Sequence, residues 1–125
     1  MIETPAAGLV AYELAKLADF FSIGTNDLTQ YTLAADRMNP AMSIYTDPHH
    51  MAVRKMIEMT VASGHRAGIP VGICGEMAAD ESLTEFFLQI GVDELSVAPG
   101  EILPLRKKIR SLDCSDSKGR LNDGL

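Results

Sequence analysis

Apolar residues along the chain gather in short runs bounded by Gly, Pro or Asp, and each run is followed by a segment where they recur every three or four positions. The runs predict strands, and the wider spacing predicts amphipathic helices. The first run is clipped. Residues 1–3 precede Pro5, and Ala6, Leu9, Val10, Leu14 and Leu17 form the stripe of the helix that follows. Residues 20–23 predict a second strand, after which a long polar loop runs to about Pro48. The next helix has a core face of Val53, Met56, Ile57, Thr60 and Val61. A third strand at 71–74 is entered from Pro70; its helix follows Asp80 as N-cap, presents Leu83, Phe86, Phe87 and Ile90, and stops at Gly91. A fourth strand at 94–97 turns through Pro99 and Gly100 into a helix carrying Ile102, Leu105, Ile109 and Leu112.

The order βαβαβαβα calls for a parallel sheet with right-handed crossovers, built either as an open doubly wound sheet or as a (β/α)8 barrel. A complete barrel takes about 250 residues, so on the second alternative the 125 residues here amount to half of one. A half barrel leaves two open edge strands and exposes the sheet face meant for the barrel interior, which is expected to be apolar. A homodimer that covers this face is therefore expected.

Composition narrows the function classes. With 46% hydrophobic and 22% charged residues the chain reads as one soluble globular domain or a piece of one. A net charge of -6 argues against nucleic acid or an anionic membrane surface as partner. The basic stretch at 106–110 reads as the solvated face of the last helix. No run approaches the roughly 20 apolar residues of a membrane span, and the N-terminus lacks the layout of a signal peptide, so a cytoplasmic location is expected. Two cysteines, Cys74 and Cys114, are too few for a disulfide framework and lack zinc-site spacing.

Polar groups collect after the strands: Glu3 after the first, Asn26 and Asp27 after the second, Cys74 and Glu76 at the third. In parallel α/β folds the carboxyl ends of strands are where sites are built. Glu3 and Asp27, on neighbouring strands, could share a hard cation. Mg2+ suits them, since it is held by one or two carboxylates with waters and a substrate phosphate completing the shell. The plainer alternative for each carboxylate is helix capping or a solvated loop. Arg37 could donate to a phosphate or carboxylate of a substrate, or form a surface pair with Asp36. Cys74 is either a small buried hydrophobe or a reactive thiol. His49 and His50 point about 100° apart at a helix start, which favours capping or exposure over shared metal binding.

The stretches "MIETPAA", "DFFSIGTNDLTQYTLAADRMN", "GICGEMAAD" and "DELSVAP" lie in one register. In them the chain resembles the carboxyl-terminal part of the enzyme I family of the bacterial sugar phosphotransferase system, the phosphoenolpyruvate-protein phosphotransferases. The wider family of PEP-utilising enzymes, with pyruvate phosphate dikinase and PEP synthase, shares the GTNDLTQ and CGE signatures. Either of these, or a non-catalytic PEP-binding or assembly module, is the alternative. The resemblance implies that residues 1–112 are part of a PEP-binding barrel domain, units five to eight of a TIM-type barrel; by composition, polar and Gly-containing, 113–125 reads as a flexible tail.

The same resemblance implies residue roles. Glu3 and Asp27 look like the Mg2+ ligands, Asn26, Asp27 and Arg37 like groups that hold PEP, and Cys74 like the proton donor. The family passes the PEP phosphoryl group to a histidine on a separate amino-terminal domain, and a thiol then protonates the enolate of pyruvate. The phosphocarrier protein is the further partner of the intact enzyme. None of the three histidines here lies in a phosphohistidine motif, so the chain alone is expected to be inactive.

Overall fold

The computed structural model describes residues 1–113. Strands β1 (Phe21–Gly24), β2 (Val71–Cys74) and β3 (Glu94–Leu95) form one parallel sheet in that order. The register pairs Phe21 with Val71 and Gly24 with Cys74. Ile2 adds a single parallel bridge to Ile23, with its N–H donating to Ser22 O at 2.8 Å and its carbonyl accepting from Gly24 N–H at 2.9 Å. The first predicted strand is thus one bridge long, and the fourth, expected over 94–97, is two residues long. The fold class is α/β with a parallel three-stranded sheet.

Six helices accompany it among the described residues: α1 (Pro5–Leu9), α2 (Ala11–Ala15), α3 (Thr25–Leu33), α4 (Met51–Arg66), α5 (Thr84–Gln89) and α6 (Ile102–Ser111). None is long and apolar enough to cross a membrane. Phe21, Ile23, Val71 and Ile73 turn to the helices, where they meet Val53, Ile57 and Val61 of α4 and Phe87 of α5 in one core. The α4 face agrees with its predicted stripe; Val53, Ile57, Thr60 and Val61 are buried and Met56 is half-buried.

Other expectations fail for identifiable reasons. The helix after Pro5 breaks at Val10 into α1 and α2, and it packs on α4 through its small residues Gly8, Ala11 and Ala15. Gly8 lies so close to Met56 that a Cβ there would overlap the Met56 thioether and oblige it to move. The larger apolar residues of the predicted stripe therefore point outward, Leu9 at 67% exposure and Leu17 at 90%. The first nine-residue stretch of the expected polar loop after β1 is α3, held to the core by Leu28, Thr25 and Thr29. Asp80 does not cap α5. It accepts from the N–H and hydroxyl of Ser82 and shapes the turn before the helix.

The sheet face turned away from the helices is not the apolar surface expected. Alternation along the strands places Ser22, Gly72 and Cys74 there, and Glu94 lies against Gly72. It is small and polar. The expected tail falls almost wholly on residues 114–125, and with Cys114 lies outside the described residues.

At the amino edge of the sheet Asp93 ties β2 to α4. Its Oδ2 accepts from Val71 N–H at 2.8 Å and lies 2.9 Å from His65 Nε2. These contacts, the backbone N–H first, outweigh partial desolvation and hold the carboxyl below its ordinary range. A carboxyl lowered on folding stabilises the fold above its unfolded-state pKa of about 4, and that contribution is lost as pH falls through the lower folded value. Asp93→Asn should therefore destabilise the protein at neutral pH. Urea unfolding of both forms should show the gap narrowing as the pH is taken below about 4. A gap equal at both pH values would sever Asp93 from the pH dependence.

Candidate functional site at the carboxyl rim

Every strand runs in the same direction, so Glu3, Asn26 and Asp27, and Cys74 to Glu76 all emerge at one edge of the sheet. Glu3 directly follows the bridged Ile2. Its carboxylate Oε2 lies 2.9 Å from the point where a Cβ on Gly24 would sit, so the bare glycine backbone is what admits it. α3 starts at the very end of β1, which brings Asn26 and Asp27 into its first turn. There the exposed N–H groups favour negative charge.

Four hydrogen bonds lock this junction to the end of β2. Thr25, fully buried, donates its hydroxyl to Cys74 O at 2.8 Å. Glu76 N–H donates to Asn26 Oδ1 at 3.2 Å, which leaves the amide NH2 of Asn26 as its donor. The Cys74 thiol donates to Ile23 O at 3.4 Å and accepts from the Ser22 hydroxyl at 3.3 Å. Cys74 is half-buried, so it is neither sealed in the core nor fully in solvent. The sulfur is consequently fixed on the polar face of the sheet, on the residue that pairs directly with Gly24, against which Glu3 packs.

Arg37 reaches the rim from the segment after α3. Its backbone N–H donates to Gln30 Oε1 at 3.1 Å, and its guanidinium lies 3.5 Å from Asp27 Oδ1. The pair is long and both side chains are about two-fifths exposed, so it contributes little to stability and yields easily to a competing anion. Asp36, the expected surface partner of Arg37, accepts instead from Met38 N–H. Arg37, Asn26, Thr29, Gln30, Pro48, Glu76 and Asp80 line an open cleft of about 420 Å3 beside this network.

The histidine pair divides as residues at a helix start do. His50 caps α4 through Nδ1 and Ala52 N–H at 3.1 Å, while His49 Nε2 lies 3.0 Å from Asp80 Oδ2. Sequence reading missed Ser22, Thr25 and the His49–Asp80 contact, because each depends on strand register or on loops distant in the chain. Among the described residues no group of three or more His, Cys, Asp or Glu side chains converges as a metal site. Two carboxylates at one rim are the hard oxygen donors that suit Mg2+, whose remaining positions go to water and substrate oxygens.

The family described as "PEP-utilising enzyme, PEP-binding domain" matches residues 1–114. The phosphoenolpyruvate-protein phosphotransferase of Priestia megaterium is 44% identical over 122 residues, which is 98% of this chain and 21% of the relative. Those of Bacillus subtilis (strain 168) and Cupriavidus necator are 43% identical over 118 residues and 45% over 114. These cover 94% and 91% of this chain and 21% and 20% of the relatives. The chain spans about a fifth of the length of the curated relatives it matches. A match over nearly all its residues shows that the chain belongs to the PEP-utilising enzyme family, in the part that forms its PEP-binding domain.

Proposed function

We propose that the chain is the PEP-gripping part of a Mg2+-dependent phosphoenolpyruvate-protein phosphotransferase, and that it corresponds to units five to eight of a (β/α)8 barrel. Glu3 and Asp27 would hold the ion, which when bound neutralises charge on the phosphoryl oxygens. Asn26 would donate its amide NH2 to the phosphate and Arg37 would add a planar, permanently charged donor. Once the phosphoryl group has left for a histidine on another domain, Cys74 S–H would give its proton to the enolate carbon, yielding pyruvate and a thiolate. Phosphoryl transfer depends mainly on positioning and charge neutralisation, which are what these side chains can supply.

The observation that carries this reading is the set of hydrogen bonds from Thr25, Ser22 and Glu76 that fastens the Asn26–Asp27 turn to Cys74. Titration calorimetry with Mg2+ and PEP tests it. Metal-dependent heat is expected, and a purely structural or assembly module would show none.

We also propose that the chain self-associates as a homodimer. Support comes from Leu9, Leu17 and Phe20, all more than three-fifths exposed, and not from the polar inner face of the sheet. Light scattering at micromolar concentration should give twice the chain mass, and a monodisperse monomer would remove the proposal.

A further inference from the structure

We infer that His49 and Asp80 form a clasp that positions Arg37, an inference that rests on the substrate role given to Arg37 above. Arg37 rides on residues 34–50, which leave α3 and return at α4. The 3-10 turn within that segment, Pro40–Tyr45, buries none of its residues. Its side-chain hydrogen bonds are mostly local: Asp36 with Met38, Asn39 with Ala41, Thr46 with Ser43, Asp47 with His49. Such bonds stiffen a segment internally but do not fix it to the body of the protein.

The near end is held to α3 by the bonds from Arg37 to Gln30 and Asp27 and by buried Ala35, whose N–H donates to Gln30 O at 3.1 Å. The far end joins α4 at the His50 cap, and His49 Nε2, 3.0 Å from Asp80 Oδ2, ties it across the cleft to the connection between β2 and α5. Asp80 is built to receive it. Its Oδ1 is occupied by Ser82 N–H at 2.9 Å and Ser82 Oγ at 2.6 Å, which aims Oδ2 at the imidazole. Burial works against its charge, but the Ser82 bonds and His49 prevail and keep it ionised. Arg37, Pro48 and Asp80 all line the cleft. The clasp therefore sets how far the arm bearing the guanidinium stands from Asn26 and Glu76.

His49→Ala removes the donor, whereas His49→Gln keeps an N–H that can reach Asp80. Neither variant disturbs the Ser82 turn. Without ligand, the Arg37 Nε–H resonance should shift or broaden in His49→Ala and the amides of 34–50 should exchange faster, with β1 and β2 amides unchanged and His49→Gln close to wild type. An unmoved Arg37 signal in His49→Ala, or equal effects of both variants, overturns the clasp whether or not PEP binds. In calorimetry with Mg2+ and PEP, His49→Ala should weaken binding about fivefold, in keeping with one partly exposed ion pair, with most of the loss restored by Gln. A wild-type chain that gives no metal-dependent heat would refute the PEP reading alone, because the resonance and exchange results judge the clasp independently.

Discussion

Asp27→Ala is expected to eliminate metal-dependent PEP binding, weakening it by more than about 100-fold, since even residues that only orient metal ligands carry about 10- to 100-fold. The carboxylate occupies the first turn of α3, beside the rim reached by Glu3 and next to the Arg37 guanidinium. On the proposed assignment its removal takes away one of two hard donors, and it also removes the partner that lies 3.5 Å from the Arg37 guanidinium. Folding should survive, because an ion pair this exposed is worth about 0–1 kcal/mol and the Asp27 side chain is 38% exposed. Glu3→Gln should behave similarly in calorimetry. Asp19→Ala, an exposed carboxylate before β1 at the opposite edge, should leave the heat unchanged. Retention of wild-type heat by Asp27→Ala would refute the assignment, and an equal loss in Asp19→Ala would mean that net charge, not a site, drives binding.

How far the sequence could carry such an argument depended on the length and regularity of each element. α4 is long and keeps its apolar period, so Val53, Ile57 and Val61 could be read as core without coordinates. α3 escaped notice because threonines do part of its burying: Thr25 and Thr29 sit beside Leu28 in the interior, yet they read as loop residues in a one-dimensional pattern. The stripe of α1 and α2 misled in the other direction. Close approach to α4 selects Gly8, Ala11 and Ala15, and the bulky residues between them are displaced to the surface. For the site, the crowding of Asn26, Asp27, Cys74 and Glu76 after apolar runs was visible, since a parallel sheet sends all such positions to one rim. The bond between Ser22 and Cys74 was not. It requires the register that sets Gly24 opposite Cys74, and no local pattern encodes register between strands so far apart.

Gly75→Ala should be the most damaging single-methyl change near that rim, at roughly 2–6 kcal/mol. Gly75 has φ 96° and ψ -176°, a backbone region that is essentially confined to glycine. Strain alone accounts for about 1–3 kcal/mol. A Cβ there would also stand 2.6 Å from Thr25 Oγ1 and 3.1 Å from Asn26 Oδ1. To relieve the overlap Thr25 must give up its bond to Cys74 O, and a buried hydroxyl or carbonyl left without a partner adds about 1–3 kcal/mol. Gly68→Ala is the comparison without contact, because Gly68 also has a positive φ of 81° but no atom lies within 4 Å of an added Cβ. Urea unfolding should show Gly75→Ala costing clearly more than Gly68→Ala. Because the displaced groups are those that fix Asn26 against Cys74, PEP binding should fall with stability at Gly75 and stay intact at Gly68. Equal destabilisation by the two substitutions would mean that the rim tolerates the methyl group, and that the lock between the β1 and β2 ends is looser than its hydrogen bonds indicate.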